Sequence, residues 1–493
     1  MRLHSVKHPV LYEINTAVWL SALALRTGRP VTLGTVPEAE WNFLESLGVD
    51  AVWLMGVWRR SEKSRDRALQ LAELQREYEQ ACPDWTPQDV FGSPYAIKEY
   101  APEPRFGDWK DLCIARQQLA DRGMGLILDL VPNHTAPDHP WVSKHPDFYV
   151  HGSAGKLQEQ PDNYYAISEG AEQQIIAHGR DPYFPPWTDT LQLNYWSRNL
   201  RRAWKRTIHR LSSYCDGFRC DMAMLALNRV FKSIWGEAID EPEAAEFWEE
   251  LLGEFPNLLW IAECYWDTHE ELLKLGFDYV YDKELLDCLR LSDHRLLYEH
   301  LRRSGSRTNR SVHFLENHDE TRSTVVLPSL RAAALVAFAI PGMKLIHQGQ
   351  MRGAEVRVPV QLGRARIEAH HEGLRNYYEK LLQEVKRTPL QDGDWSLCDS
   401  LSVSGETSPL FASQWIYRGE ISRLLVVNLT RQRSSGRILL KGISRDRSYR
   451  FKECMGETVY RREGKELTEA GLYVILDPGS FHFLEAAADT VLP

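Results

Sequence analysis

Gly217-Phe218-Arg219-Cys220-Asp221-Met222-Ala223 follows Ser213-Tyr214-Cys215-Asp216 and precedes Met224-Leu225-Ala226-Leu227. The stretch reads as a short apolar strand ending on an arginine and an aspartate two residues apart. Side chains at i and i+2 share one face of a strand, so Arg219 and Asp221 point the same way. A guanidinium beside a carboxyl lowers its pKa and holds it ionised at neutral pH. An ionised, oriented aspartate at a strand end suits a nucleophile. The same pair, taken alone, reads equally as a buried structural ion pair.

The chain on either side of this strand repeats one rhythm. Further apolar runs, each short enough for a buried strand, lie at 10–15, 50–55, 125–131, 258–263, 277–280, 311–315 and 343–347. Helical patterns separate them, at 38–47, 109–122, 197–214, near 225–236 and 243–254, and at 268–275, 283–303, 329–340 and 372–386. Eight strands alternating with helices predict an α/β chain built on a (β/α)8 TIM barrel.

Two segments interrupt the rhythm inside the barrel. Residues 65–80, within a 56–90 insert, read as one charged helix, either solvated or lying over a site. Residues 91–106, with Pro94, Pro102 and Pro104, read as loop. Residues 135–194 read as irregular and rich in Pro, Gly, Asp, His and aromatics. A loop that long is unusual unless functional, so it is expected to form a small excursion domain after the third strand. Beyond residue 390 the helices stop. Runs at 424–429, 437–440, 449–451, 472–476 and 481–484 predict a C-terminal all-β sandwich. The expected division is a catalytic barrel over 1–134 and 195–389, an excursion domain over 135–194 and the β module over 390–493.

Composition narrows the function. At 493 residues the chain is long enough for two or three domains. Its net charge of −9 argues against a nucleic-acid partner. No apolar run reaches the ~20 residues of a membrane helix, so no membrane partner is expected. The first nine residues carry no apolar core of a secretory signal. The eight cysteines are scattered without a C-x-x-C pair, which predicts reduced thiols, a cytoplasmic protein and no cysteine metal site. The 16 Trp, 20 Tyr and 16 Phe are core material first, and their faces also suit the stacking of sugar rings.

Barrels place their chemistry at the C-terminal strand ends. Those ends carry Asp129, Asn133 and His134 on the third strand, Arg219 and Asp221 on the fourth, Glu263 on the fifth and Glu316-Asn317-His318-Asp319 on the seventh. Asp221, Glu263 and Asp319 therefore converge on one mouth. Two carboxylates across an acetal are the minimum for glycoside hydrolysis: one attacks the anomeric carbon, the other protonates the leaving oxygen and later activates water. Glu263 follows the apolar Trp260-Ile261-Ala262, and desolvation there would keep it protonated as an acid. Asp319 would hold ring hydroxyls and favour a distorted, oxocarbenium-like transition state.

Four motifs carry a family resemblance, in order: Asp129-Leu-Val-Pro-Asn133-His134, Gly217-Phe-Arg219-Cys-Asp221, Ile261-Ala-Glu263 and Glu316-Asn317-His318-Asp319. With them the chain resembles the α-amylase family, glycoside hydrolase family 13, over roughly residues 10–350. The resemblance implies a retaining mechanism through a covalent glycosyl-aspartate. Asp221 would be the nucleophile, Glu263 the acid/base and Asp319 the transition-state stabiliser. His134, Arg219 and His318 would bind the reacting sugar, Tyr95 would stack on it, or merely pack its loop, and Asp129 would support the site from beneath. No cofactor is required. Asn133 matches a calcium-binding asparagine, so calcium is possible.

The departures from the family matter as much. Many α-amylases follow the nucleophile with a Lys-His pair that binds the leaving-group side; here the stretch is Met222-Ala223-Met224-Leu225. Gln348-Gly349-Gln350-Met351-Arg352-Gly353, with Arg357, Arg364 and Arg366 beyond, is a basic segment after the eighth strand, readable as an anion site or a solvated loop. Three readings stay open. One is a hydrolase or transglycosylase on α-1,4 glucans or maltodextrins. Another is a glucosyl or maltosyl transferase or phosphorylase using a small donor such as sucrose or maltose 1-phosphate. The third, a non-catalytic scaffold, is disfavoured because all three carboxylates are present.

Overall fold

The computed structural model describes residues 3–169, 172–239, 245–402, 405 and 407–489. Eight parallel strands close into a barrel in chain order. They are β1 Val10–Asn15, β2 Ala51–Met55, β3 Gly125–Leu130, β4 Gly217–Cys220, β5 Leu259–Ala262, β6 Tyr279–Tyr281, β7 Ser311–Phe314 and β8 Met343–His347. β8 closes on β1 with Glu13 opposite His347. All eight coincide with the runs expected from the sequence. Strands covered by helices outside and packed side chains inside are buried on both faces, and nearly every residue in these eight is buried. Gly217 opens β4 because Leu259 O would lie 2.3 Å from any Cβ there.

The outer helices bury one stripe each. Arg198–Leu211 starts where Ser197 accepts from Leu200 N, and it buries Leu200, Ala203, Trp204, Ile208 and Leu211 at three- and four-residue spacing. No helix among the described residues is long and apolar enough to cross a membrane.

The structure corrects several sequence expectations. The single helix expected over 283–303 is two, Lys283–Leu291 and His294–Ser304. Ser292 adopts a left-handed φ of 55° between them, and the Asp293 side chain caps the second. Of the helix expected over 243–254, residues 243 and 244 lie outside the described residues, and the helix observed is Phe247–Glu254. The 91–106 loop contains the strand Ile97–Pro102, paired with Trp58–Arg60. Pro102 is tolerated because it ends a two-stranded edge. The 135–194 segment is less irregular than expected: Tyr164–Glu169 and Glu172–Ala177 pair as an antiparallel hairpin, and His134–Thr135 pairs with Leu191–Gln192 at its root.

The charged insert is two helices, Glu62–Gln70 and Ala72–Ala81, and it is not simply solvated. Tyr78, Ala81, Cys82 and Val90 share a small core with Leu362, flanked by Val356 and Val358 from the segment after β8. Val90 bridges to Leu362, and Phe91 N donates to Gln361 O at 2.7 Å.

The C-terminal strands form two sheets. One has six strands, in the order Asp394–Leu397, Phe411–Tyr417, Glu420–Val427, Phe481–Ala488, Ser448–Glu453, Val459–Glu463; the other has three, Ser400–Leu401, Ser434–Ile438, Leu472–Leu476. Leu424, Val426 and Phe451 of the first share a core with Ile438, Val474 and Leu476 of the second, as in a sandwich. The other face of the larger sheet joins the main core through Phe411, Trp415, Leu425 and Phe483.

Candidate active site

Arg219 sits fully buried at the end of β4, beside Asp129 on β3 and Ile261 on β5. Its Nη1 donates to Asp221 Oδ1 at 2.8 Å, and its Nη2 lies 2.8 Å from Glu263 Oε2. Tyr281 hydroxyl accepts from its Nε at 3.3 Å, and the rings of Trp53 and Tyr95 face its guanidinium. The structure thus brings Asp221, Glu263 and Arg219 together as the sequence predicted.

One guanidinium serves two carboxyls, which changes the charge argument. Burial pushes Asp221 above the ordinary carboxylate range while Arg219 pulls it down, so Arg219 alone does not set its charge, contrary to the sequence expectation. Burial likewise raises Glu263, to about 7, against the pull of Arg219. Alignment decides between them. Arg219 makes a well-directed, charge-assisted hydrogen bond to Asp221, whereas its Nη2 is near Glu263 without such a bond. That directed hydrogen bond favours charge on Asp221 over charge on Glu263. Backbone fixes Glu263 further: Met222 N donates to its Oε2 at 2.8 Å, and Tyr265 hydroxyl donates to its Oε1 at 2.8 Å. Met222 takes a left-handed φ of 42° to present that N–H.

Across the mouth, His318 is buried between three partners. Its Nδ1 lies 2.5 Å from Glu13 Oε1; its Nε2 lies 2.7 Å from Tyr95 hydroxyl and 3.0 Å from Asp319 Oδ2. Burial opposes charge on the ring, but Asp319 and Glu13 outweigh it and raise His318 to about 10. The ring is an imidazolium at neutral pH. What desolvation the site imposes on Asp319 is outweighed by His318, which holds that carboxyl below its ordinary range. The Asp319 side chain is 51% exposed, so it is the acid of the three that faces the open mouth. Tyr95 stacks on His318 with ring centroids 5.4 Å apart, which puts it in the site.

Asp129 lies beneath this layer. Trp53 Nε1 and Gly56 N donate to its two oxygens at 3.1 and 2.7 Å, while burial raises it to about 6. His134 faces Trp187 of the excursion, ring centroids 5.2 Å apart, and burial lowers it to about 4, so it is neutral.

The surroundings of Asn133 do not fit calcium. That ion takes six to eight oxygens, several from carboxylates. Here the Gln192 amide nitrogen lies 3.0, 3.1 and 3.0 Å from Asn133 O, Asn133 Oδ1 and Leu193 O. Asn133 Nδ2 donates back to Gln192 Oε1 at 3.2 Å. A neutral amide donor stands where the oxygens converge. Among the described residues no cluster of three or more His, Cys, Asp or Glu could hold a metal ion.

Two arginines of the basic segment after β8 are already partnered. Arg364 makes bidentate contacts to Asp84 and Asp89, and Arg357 pairs with Glu77, all three acids from the 62–90 insert. Those two arginines clamp the insert to the barrel. A cavity of about 540 Å³ opens beside His318, lined by Tyr12, Trp19, Phe43, Arg352 and Ile367 among others; none of the three carboxylates lines it.

Sequence reasoning missed Glu13, Trp53, Tyr265 and Tyr281. A carboxylate inside the apolar run Val10-Leu11-Tyr12-Glu13-Ile14 was the available signal, since a buried acid needs a partner. The two tyrosines and the tryptophan carried no signal distinguishing them from core aromatics.

A family model described as the alpha amylase catalytic domain matches residues 39–399. The chain is similar to an oligo-1,6-glucosidase of Parageobacillus thermoglucosidasius, 26% identical over 37% of this chain and 30% of that protein. It is also similar to a 4-alpha-glucanotransferase of Thermotoga neapolitana, 22% identical over 63% of this chain and 65% of that one. The matched stretch thus spans under two thirds of these relatives. Among solved structures, a noncanonic maltogenic alpha-amylase from Thermotoga neapolitana superposes with a TM-score of 0.71, at 18% identity, over 99% of this chain and 100% of that one.

Proposed function

The chain belongs to the α-amylase family, and from that footing we propose that it is a retaining hydrolase of α-1,4-linked glucans or maltodextrins. That it is a glycosidase or transglycosidase follows from the family and its relatives. The finer reading rests on one observation: Arg219 aligned on Asp221 while Glu263, 2.8 Å from the same guanidinium, is raised to about 7. Two carboxyls whose environments push them apart divide the work of nucleophile and acid.

In this reading Asp221 attacks the anomeric carbon and Glu263 gives its proton to the leaving oxygen. A covalent glycosyl-aspartate forms, and Glu263, now deprotonated, activates the water that releases it. His318, charged, together with Asp319, Tyr95 and His134, holds the ring, and Asp129 fixes Trp53 and the loop after β2. The excursion over 135–194 and the β module over 390–493 are read as separate domains around the barrel.

A transferase reading is favoured by one feature. The stretch after the nucleophile, 223–227, is buried and apolar throughout, so it offers the incoming group no charged side chain. Phosphorolysis finds less support, since Arg357 and Arg364 are engaged by the insert.

A product assay tests this. Maltoheptaose, glycogen, sucrose and maltose 1-phosphate are each incubated with and without phosphate. Shortened maltodextrins alone mean hydrolysis, whereas longer chains or phosphate-dependent products mean transfer. Asp221→Asn lowers turnover by on the order of 10³-fold or more with an unchanged circular dichroism spectrum. Equal turnover by wild type and Asp221→Asn would sink the assignment.

A further inference from the structure

The cavity beside His318 lies outside the barrel wall. Glu13 points into the mouth, where it meets His318, so its strand neighbours Tyr12 and Ile14 face the other way. Both line the cavity, with Trp19 and Leu23 of the helix Thr16–Thr27 and Leu44 of the helix Glu38–Ser46. The segment after β8 completes it with Arg352, Arg366 and Ile367. Its volume of about 540 Å³ falls within the range of small-molecule sites, about 300–1,000 Å³.

The walls are apolar and the rim is unfinished. Trp19, Leu23 and Leu44 are buried, whereas Ile367 and Leu25, which also line the cavity, are 91% and 67% exposed. Large apolar side chains left in water beside a cavity gain from a ligand that covers them.

The polar groups say what that ligand carries. Tyr12 is 7% exposed, and among the described residues its hydroxyl forms no hydrogen bond. A buried hydroxyl without a partner costs free energy, which a bound acceptor would recover. Burial raises this group to about 12, against the pull of Arg352 and Arg322, so it stays a proton donor at neutral pH. Most charges around the cavity are already spent. Arg26 pairs with Glu40, Arg322 with Glu316, and Arg364 with Asp84 and Asp89. Glu368 accepts from the backbone N–H groups of Glu355 and Val356. Arg352 and Arg366 form no ion pair among the described residues. Two uncommitted guanidinium groups and a free hydroxyl donor at one cavity complement an acceptor with negative charge.

We propose that this cavity binds a soluble amphiphilic anion, an alkyl or aryl chain ending in a phosphate, sulfate or carboxylate. The chain lies against Trp19, Leu23 and Leu44. The head group accepts from Arg352 and the Tyr12 hydroxyl, with Arg366 at the rim. The site is separate from the mouth, on the far side of the strand that carries Glu13, and the inference stands whatever reaction the mouth performs.

Calorimetry with octyl phosphate, kept below its micelle concentration, tests this. Octanol, octyltrimethylammonium and inorganic phosphate are the comparison ligands. Octyl phosphate binds at one site per chain. Octanol, which keeps the chain and loses the charge, binds at least tenfold more weakly. The cation and inorganic phosphate show no saturable binding over the same range. Tyr12→Phe, which removes one oxygen and leaves the ring, and Arg352→Gln each weaken octyl phosphate about tenfold, the scale of one hydrogen bond to a charged group. Arg450→Gln, an exposed change on the larger β sheet, leaves the affinity as in wild type. In Asp221→Asn, saturating maltoheptaose leaves it unchanged as well. No binding of octyl phosphate, equal binding of octanol, or wild-type affinity in both Tyr12→Phe and Arg352→Gln overturns the proposal. Displacement by maltoheptaose overturns it too, because the cavity would then belong to the sugar site.

Discussion

In the proposed mechanism Glu263 needs its proton for the first step and must lose it for the second, and burial places its pKa near the point where both are accessible. The sign follows directly. The raised group is protonated below about 7, so the glycosylation step is fast there and slows as pH rises through about 7. We expect kcat/KM on maltoheptaose to fall on the alkaline side with a midpoint near pH 7. With α-glucosyl fluoride, whose leaving group needs no proton, that alkaline limb disappears. Matching limbs for both donors would remove Glu263 from the acid role. At this scale the carboxylates, Arg219 and His318 were legible because each sits at the end of an apolar run, where a charged residue has a reason to be. The direction of the Asp221 shift was not legible, since it depends on a guanidinium shared with a residue 42 positions further on. Nor was Glu13, whose reason is the imidazole it faces, 305 residues away.

Among the elements, the short pairing of His134–Thr135 with Leu191–Gln192 ties the excursion to the barrel next to the site. Gln192 supplies by an amide what a cation would supply by charge, gathering Asn133 Oδ1 and two backbone carbonyls. Chelator treatment therefore leaves the Tm unchanged. Gln192→Ala, which takes a buried donor from those oxygens, destabilises the protein by about 1–3 kcal/mol. Differential scanning fluorimetry with and without EDTA and added calcium reads both; a drop in wild-type Tm on adding EDTA would contradict the amide's role. The resemblance pointed to Asn133, but the partner that decides its chemistry lies 59 residues on, in a stretch with no periodic signal. The 62–81 helices show the same limit. Their sequence looks solvated because part of their small core, Leu362 with Val356 and Val358, comes from the segment after β8.

On the scale of the molecule, the β module and the barrel share one interior. Trp415 Nε1 donates to Ala339 O at 2.7 Å, and Tyr298 hydroxyl accepts from Ala412 N at 2.8 Å while donating to Cys398 O at 2.9 Å. Phe411, Leu425 and Phe483 lie in the same core as the barrel strands. Calorimetry should therefore show barrel and β module melting in one transition, and Trp415→Ala should lower it as a single peak, by about 3–5 kcal/mol of stability. Two resolved transitions would mean that the shared core does not couple them. The barrel was readable from sequence because its eight strands are each buried on both faces and leave an unbroken apolar trace. The docking of the β module was not, because the residues that make it are apolar on either face of the sheet.

The clamp between Arg364 and the pair Asp84 and Asp89 carries a consequence for how the chain is made. Its two halves are about 280 residues apart. A ribosome releases the acidic half long before the basic half exists, and closing so long a loop costs entropy that only the finished barrel offsets. The joint between insert and barrel is thus among the last pieces to set. A nascent chain carries the strands that bear Arg219, Glu263 and Asp319 before this joint can close.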